Sequence, residues 1–226
     1  MTSAVINVYD NAEAVAAAAA EYLLQQISLC VAEEGVCHVA LPGGTTPAHC
    51  LALLAQMSLP WQQIHWYPGD ERCYPRAHPA RNDSMIREKL FSTIDPAETN
   101  FHPIPAELGP EAGAEQYAKL IDSLPGLDIV VLGMGEDGHT ASLFPDNPAL
   151  KDERSVVPVY QAPKPPPERI SLGLNTLRNA GQRIVIATGS GKRDALARLQ
   201  TGQALPVALV EPDTWFIDKA ARPDKA

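Results

Sequence analysis

Four consecutive apolar residues, Ile129, Val130, Val131 and Leu132, leave this chain few ways to fold. Side chains alternate between the two faces of a strand, so a strand with no polar face needs cover on both. That is the condition of an interior strand in a parallel sheet with helices on either side. The run ends in glycines at 133, 135 and 138 and then in His139, within DIVVLGMGEDGHTASLFP at residues 128–145. In open α/β sheets ligands bind beyond the carboxyl ends of the strands, which places this histidine at the mouth of a site.

The rest of the chain alternates strand and helix patterns around that stretch. A weak edge strand is expected at 4–9. Asp10 and Glu13 then offer a capping box to a long alanine- and leucine-rich helix that Gly35 stops near residue 34. Residues 36–41 read as a strand running into PGGTTP, where Thr46 can cap a helix and Pro47 can take its first position. A strand at 64–67 precedes a proline-rich loop and a helix at 82–91, and a second helix spans 111–124. Beyond Pro145, Pro148 and Pro158 flank a short strand, and KPPPERISL is a rigid loop feeding another. A strand at 183–188, a helix at 192–199 and short strands at 206–210 and 215–217 complete the reading. No repeat or linker divides the 226 residues, and 45% hydrophobic content is enough to build a core. The expectation is one Rossmann-like α/β domain over 1–226, with a mostly parallel central sheet flanked by helices.

A formal net charge of −9 argues against nucleic-acid and membrane-surface partners, because both repel a net anion at long range. The four cysteines, Cys30, Cys37, Cys50 and Cys73, form neither a CxxC pair nor zinc-finger spacing and read as small buried hydrophobes. The alanine run at 16–20 is bracketed by Asp10, Glu13 and Glu21, unlike a signal peptide or membrane span. These features predict a soluble cytoplasmic protein. Either a monomer or a homodimer is compatible with them.

Glycines 133, 135 and 138 satisfy G-x-G-x-x-G, but Pro145 and Pro148 follow too soon for the long helix that a dinucleotide fold requires. His139 is open to two readings, a satisfied loop histidine or a general base near neutrality with Asp137 beside it. Gly43, Gly44, Thr45 and Thr46 make either an ordinary turn or an anion cradle at a helix start. GSGKR at 189–193 offers a second such turn with Lys192, although it is no Walker A loop. Asp70, Glu71 and Arg72 are either a solvated cluster or a set facing the opening where His139 lies. Lys164 and Arg169 bracket prolines that suit fixed placement of a cation. No metal-site or serine-hydrolase signature is present, and neither a cofactor nor a metal is expected.

Taken together, LPGGTTP, GDER, LGMGEDGHTASLFP, KPPPERISL, GSGK and LPVALVEPDTWFIDKAA resemble the 6-phosphogluconolactonase family through most of the chain and in the family's order. The resemblance implies metal-free hydrolysis of a phosphorylated sugar lactone, 6-phosphoglucono-1,5-lactone, on a sheet shared with glucosamine-6-phosphate deaminases. It implies His139 as general base, with Asp70 and Arg72 at the active site. Gly43, Gly44, Thr45 and Thr46 match the phosphate loop, and Arg169 and Lys192 the matching cations. Deaminases of this kind carry a glutamate before the proline, where this chain has Phe144. Thr45 stands where serine is commoner, Arg81 precedes Asn82 where serine is usual, and the stretch between Pro212 and Trp215 is short. A deaminase or isomerase, and a sugar-phosphate sensor domain without chemistry, are the alternatives.

Overall fold

The computed structural model describes residues 4–95 and 99–223. Strands Val5–Tyr9 (β1), Cys37–Leu41 (β2), Ile64–Pro68 (β3), Asn100–Phe101 (β5), Ile129–Gly133 (β6), Gln182–Ala187 (β9) and Thr214–Asp218 (β10) form one sheet. Its order is β1-β10-β9-β6-β2-β3-β5, and every neighbouring pair is parallel. Asp70–Arg72 (β4), Val156–Val159 (β7) and Arg169–Leu172 (β8) make a second, antiparallel sheet in the order β4-β8-β7.

The two-faced burial expected of residues 129–132 is what organises the layers. Ile129 and Val131 enter a core shared with helices Ala12–Glu34 (α1), Thr45–Leu54 (α2) and Asn82–Leu90 (α3). Val130 and Leu132 point the other way. They join a core with Pro110–Ile121 (α4), Leu174–Arg178 (α5), Arg193–Gln200 (α6), Pro206–Leu209 (α7) and the small sheet. Each such apolar side chain contributes about 1.5–3 kcal/mol on burial, so a polar residue on either face would be costly.

By length and composition α1 could cross a membrane. Its stripe of Val15, Ala16, Ala19, Ala20, Leu23 and Ile27 is instead buried in this core, where the alanines let it lie close to α2 and β10. Asn11, not Asp10, caps it: the Asn11 side chain accepts the Ala14 amide at 2.9 Å, while Asp10 pairs with Lys219. Gly35 ends the helix in the left-handed region at φ 80°, as expected. Helix α2 starts at Thr45 with Gly44 as its cap, two residues before the expected cap Thr46.

Three further features depart from the sequence reading. Residues 206–209 form a helix, not a strand, because Pro206 has no N–H for a ladder but suits a first helical turn. The Val207 amide of that helix donates to the Gly138 carbonyl at 3.1 Å, which ties α7 to the histidine loop. Asp70, Glu71 and Arg72 are a strand of their own, turned out of the main sheet after Gly69. The two-residue strand β5 had no sequence signal.

Glu71 fixes how α3 meets this turn. It is fully buried, and its carboxylate accepts the amides of Arg72 at 2.8 Å, Asn82 at 2.7 Å and Asp83 at 2.8 Å. Burial pushes its pKa up to about 7, against the pull of those three donors. Glu71→Gln turns one acceptor oxygen into a donor facing an N–H. The expected loss is about 1–3 kcal/mol in urea unfolding, and an unchanged midpoint would show that these bonds do not hold α3.

Candidate active site

Chain order sets where the cleft opens. Strands β2 and β6 are neighbours, but from β2 the chain moves on to β3 and from β6 to β9, on opposite sides of the pair. Such a switch point leaves a crevice at the carboxyl ends. Here it is a cavity of about 670 Å³, walled by the loops after β2, β3, β6 and β9 and by residues of the 164–169 segment. His139, Asp70, Arg72, Gly43, Gly44, Thr45, Thr46, Arg169 and Lys192 all line it. Asp137 is not among the lining residues and contacts the imidazole instead.

The His139 Nδ1 lies 2.6 Å from Asp137 Oδ1, which also accepts the His139 amide at 3.1 Å. An ionised carboxylate only accepts hydrogen bonds, so Nδ1 carries a proton, and in the neutral ring Nε2 keeps its lone pair. The ring centroid sits 4.4 Å from that of Phe144. Gly135 makes room for this arrangement: a Cβ there would lie 2.1 Å from His139 Nδ1. The loop closes on itself through the Gly135 amide to the His139 carbonyl at 2.8 Å and Thr140 Oγ1 to the Gly133 carbonyl at 2.8 Å.

Asp70 is held through both oxygens, by Asn82 Nδ2 at 2.9 Å and by Ser142 Oγ at 2.6 Å. Asn82 in turn presses on the first glycine turn, since a Cβ on Gly43 would lie 2.1 Å from its Oδ1. Arg72 donates from Nη1 to the Ala80 carbonyl at 2.6 Å, whereas its buried Nε has no partner among the described residues. Arg169 is paired with Arg72 across the small sheet. Its guanidinium donates to the carbonyls of Lys164 at 2.9 Å, Pro165 at 3.3 Å and Pro166 at 3.2 Å, and lies 5.5 Å from the centre of the Phe144 ring.

The two glycine turns meet through Thr46 Oγ1 and Thr188 Oγ1, 2.5 Å apart. The Gly189 amide is already committed to Asp218, at 3.0 and 3.1 Å, so less of the second turn is open to an anion than its sequence implies. Burial pushes the Lys192 pKa down, with Glu136 opposing. Arg72, Lys164, Arg169 and Lys192 line the cleft together with two carboxylates, Asp70 and Glu136. The cleft is therefore locally cationic in a chain of net charge −9.

Asn82, Ser142, Glu136 and Thr188 were not picked out from the sequence. Glu136 and Ser142 lie inside the histidine motif beside stronger candidates, and Thr188 directly precedes the second glycine turn.

Residues 10–217 match the family described as glucosamine-6-phosphate isomerases/6-phosphogluconolactonase. The chain belongs to this family. A relative named 6-phosphogluconolactonase from Homo sapiens is 36% identical over 236 residues, covering 96% of this chain and 92% of that protein. The crystal structure of a 6-phosphogluconolactonase from Thermotoga maritima superposes with a TM-score of 0.87 at 25% identity, covering 96% of this chain and 100% of the other. A monomeric glucosamine-6-phosphate deaminase shares the fold, with a TM-score of 0.81 at 20% identity over 96% of this chain and 98% of the other. Phe144 precedes Pro145 in the loop that carries His139. It is buried between the His139 ring and the Arg169 guanidinium.

Burial alone would raise the Asp137 pKa, but the imidazole hydrogen bond and charge outweigh it and bring it to about 2. The folded-state value lies below the ordinary 3.8, so the stability this pair contributes is full above that pH and is lost only as pH falls through about 2. A carbon-detected NMR titration of the Asp137 carboxyl should give a midpoint near 2 in the native protein. It should return towards the ordinary carboxylate range in His139→Asn, and a normal midpoint in the native protein would show that the pair does not form.

Proposed function

We propose that this protein hydrolyses 6-phospho-D-glucono-1,5-lactone to 6-phospho-D-gluconate, the lactone-opening step of the oxidative pentose phosphate pathway. The observation that carries this reading is the pairing, in one cleft, of an imidazole with a free Nε2 and a cationic wall next to two glycine turns. Relatives named 6-phosphogluconolactonase supply the phosphorylated gluconolactone.

The phosphate is held by Arg169, Lys192 and the turn from Gly43 to Thr46, which brings C1 of the lactone to His139. Binding energy from the non-reacting phosphate is thereby used for positioning. His139 Nε2 takes a proton from water as its oxygen attacks C1, and Asp137 stabilises the imidazolium that forms. The unpaired Nε–H of Arg72 supports a role as donor to the developing oxyanion: a buried donor left alone costs about 1–3 kcal/mol, and a substrate oxygen relieves that cost. The C1–O5 bond then breaks, the imidazolium returns its proton to O5, and the new carboxyl ionises. Asp70, locked by Asn82 and Ser142, is a fixed acceptor for a sugar hydroxyl.

Deamination is not favoured, since Phe144 offers no carboxylate beside the histidine. Residues 1–226 are read as one working domain. A cytoplasmic location agrees with four cysteines that are all unpaired.

The test is proton release from freshly made phosphorylated lactone, compared with unphosphorylated gluconolactone. His139→Asn should lower kcat by about 100- to 10,000-fold with little change in KM. Arg169→Gln should raise KM by about 10-fold or more for the phosphorylated lactone and leave the unphosphorylated one almost unaffected. An undiminished kcat in the first variant, or equal effects on both lactones in the second, would overturn the respective role.

A further inference from the structure

Across the sheet from the cleft, at the amino ends of β2 and β6, three ligand-bearing side chains converge. Cys30 comes from the end of α1, Cys37 opens β2, and Asp128 immediately precedes β6. Their sulfur and oxygen atoms all lie within 4.8 Å of one another. We propose that Cys30, Cys37 and Asp128 bind one thiophilic divalent cation of the zinc class, with water in the fourth position.

The local fold brings the ligands together without strain. Gly35, in the left-handed region at φ 80°, reverses the chain so that the thiols on either side of it meet. A tetrahedral zinc with sulfur ligands at about 2.3 Å sets its thiolates about 3.8 Å apart, so the present spacing needs only a small contraction. The Cys30 thiol donates to the Val36 carbonyl at 3.6 Å and sits beside the Cys37 thiol and the Asp128 carboxylate. Those are the contacts a cation replaces as the thiol protons leave. Asp128 is already oriented: its Oδ2 accepts the His38 amide at 2.7 Å, which is the kind of outer support that fixes a metal-ligating carboxylate.

Among the described residues the ligand set is these three side chains. His38 is next in sequence, but strand alternation turns its ring to the other face, where Nδ1 bonds Tyr67 Oη at 3.0 Å. Cys37 is buried, while Cys30 and Asp128 are half-buried, so the site has one open side for the ion and its water. Two sulfurs with one carboxylate favour zinc or cadmium over magnesium or calcium, which prefer all-oxygen sets. A bound ion would clip the end of α1 to the starts of β2 and β6, far from the reacting groups.

The experiment uses the full chain, its thiols kept reduced by a phosphine, titrated with cobalt(II) as a spectroscopic substitute for zinc. A thiolate-to-cobalt charge-transfer band should grow to saturation at one equivalent and be bleached by one equivalent of zinc. Zinc at about 100 times its Kd should raise the melting temperature by about 5–10 °C. The band should vanish in the Cys30→Ser/Cys37→Ser double variant. In Asp128→Asn, which keeps an acceptor for the His38 amide, affinity should fall at least about 10-fold. Lactone hydrolysis should persist in these variants, because none of the three residues touches the cleft. If the double variant does not fold, Cys30→Ser alone gives the same reading. No thiolate band in the native protein, or a band that survives loss of these thiols, would overturn the site.

Discussion

The rest of the structure depends on a strand that tolerates water on neither face. Once Ile129 and Val131 point into one core and Val130 and Leu132 into the other, both sides of the sheet must be covered. Polar chemistry is then confined to the ends of the strands, where the chain leaves the sheet and backbone groups lack ladder partners. The divergence of the chain from β2 and β6 converts one of those ends into a cleft. The glycine turns and the histidine loop lie there for the same reason.

Inside the cleft, positions are over-determined rather than merely permitted. The imidazole is held by Asp137 at one nitrogen, pressed on Phe144 along its side and seated on Gly135, which has no Cβ to displace it. The loop that carries it is braced from outside by the α7 amide on Gly138. A ring held this firmly has one free nitrogen and one direction in which to use it. Pre-orientation of that kind lowers the entropic cost of a bimolecular step.

The small antiparallel sheet supplies the charge. Pairing β4 with β8 places Arg72 beside Arg169, two cations that repel each other in the absence of an anion. Backbone carbonyls of the proline segment and of Ala80 absorb part of that cost. Arg81 has no part in the cleft. It is buried, with its guanidinium bonded to Asp83, Glu107, Tyr74 and Ile104, and it anchors the loop that leads into α3. A long-range field that disfavours anions thus coexists with a local one that attracts them, because burial strengthens near charges while solvent screens far ones.

What the sequence determined by itself was whatever depends on neighbours along the chain. The two-faced apolar run implied a parallel interior strand, the glycine turns and Gly35 marked where elements stop, and Asp137 two residues from His139 allowed their contact. Propensity misread residues 206–209, where the proline and a bond to Gly138 favoured helix over strand. Only the tertiary structure decided that Asp70 is held by Ser142 and Asn82, that Thr46 meets Thr188, that Arg72 sits beside Arg169, and that Gly189 spends its amide on Asp218. Local conformation is governed by sterics and hydrogen bonds within a few residues. These partners are brought together by strand order and by the burial of both sheet faces, and no short stretch of sequence encodes either.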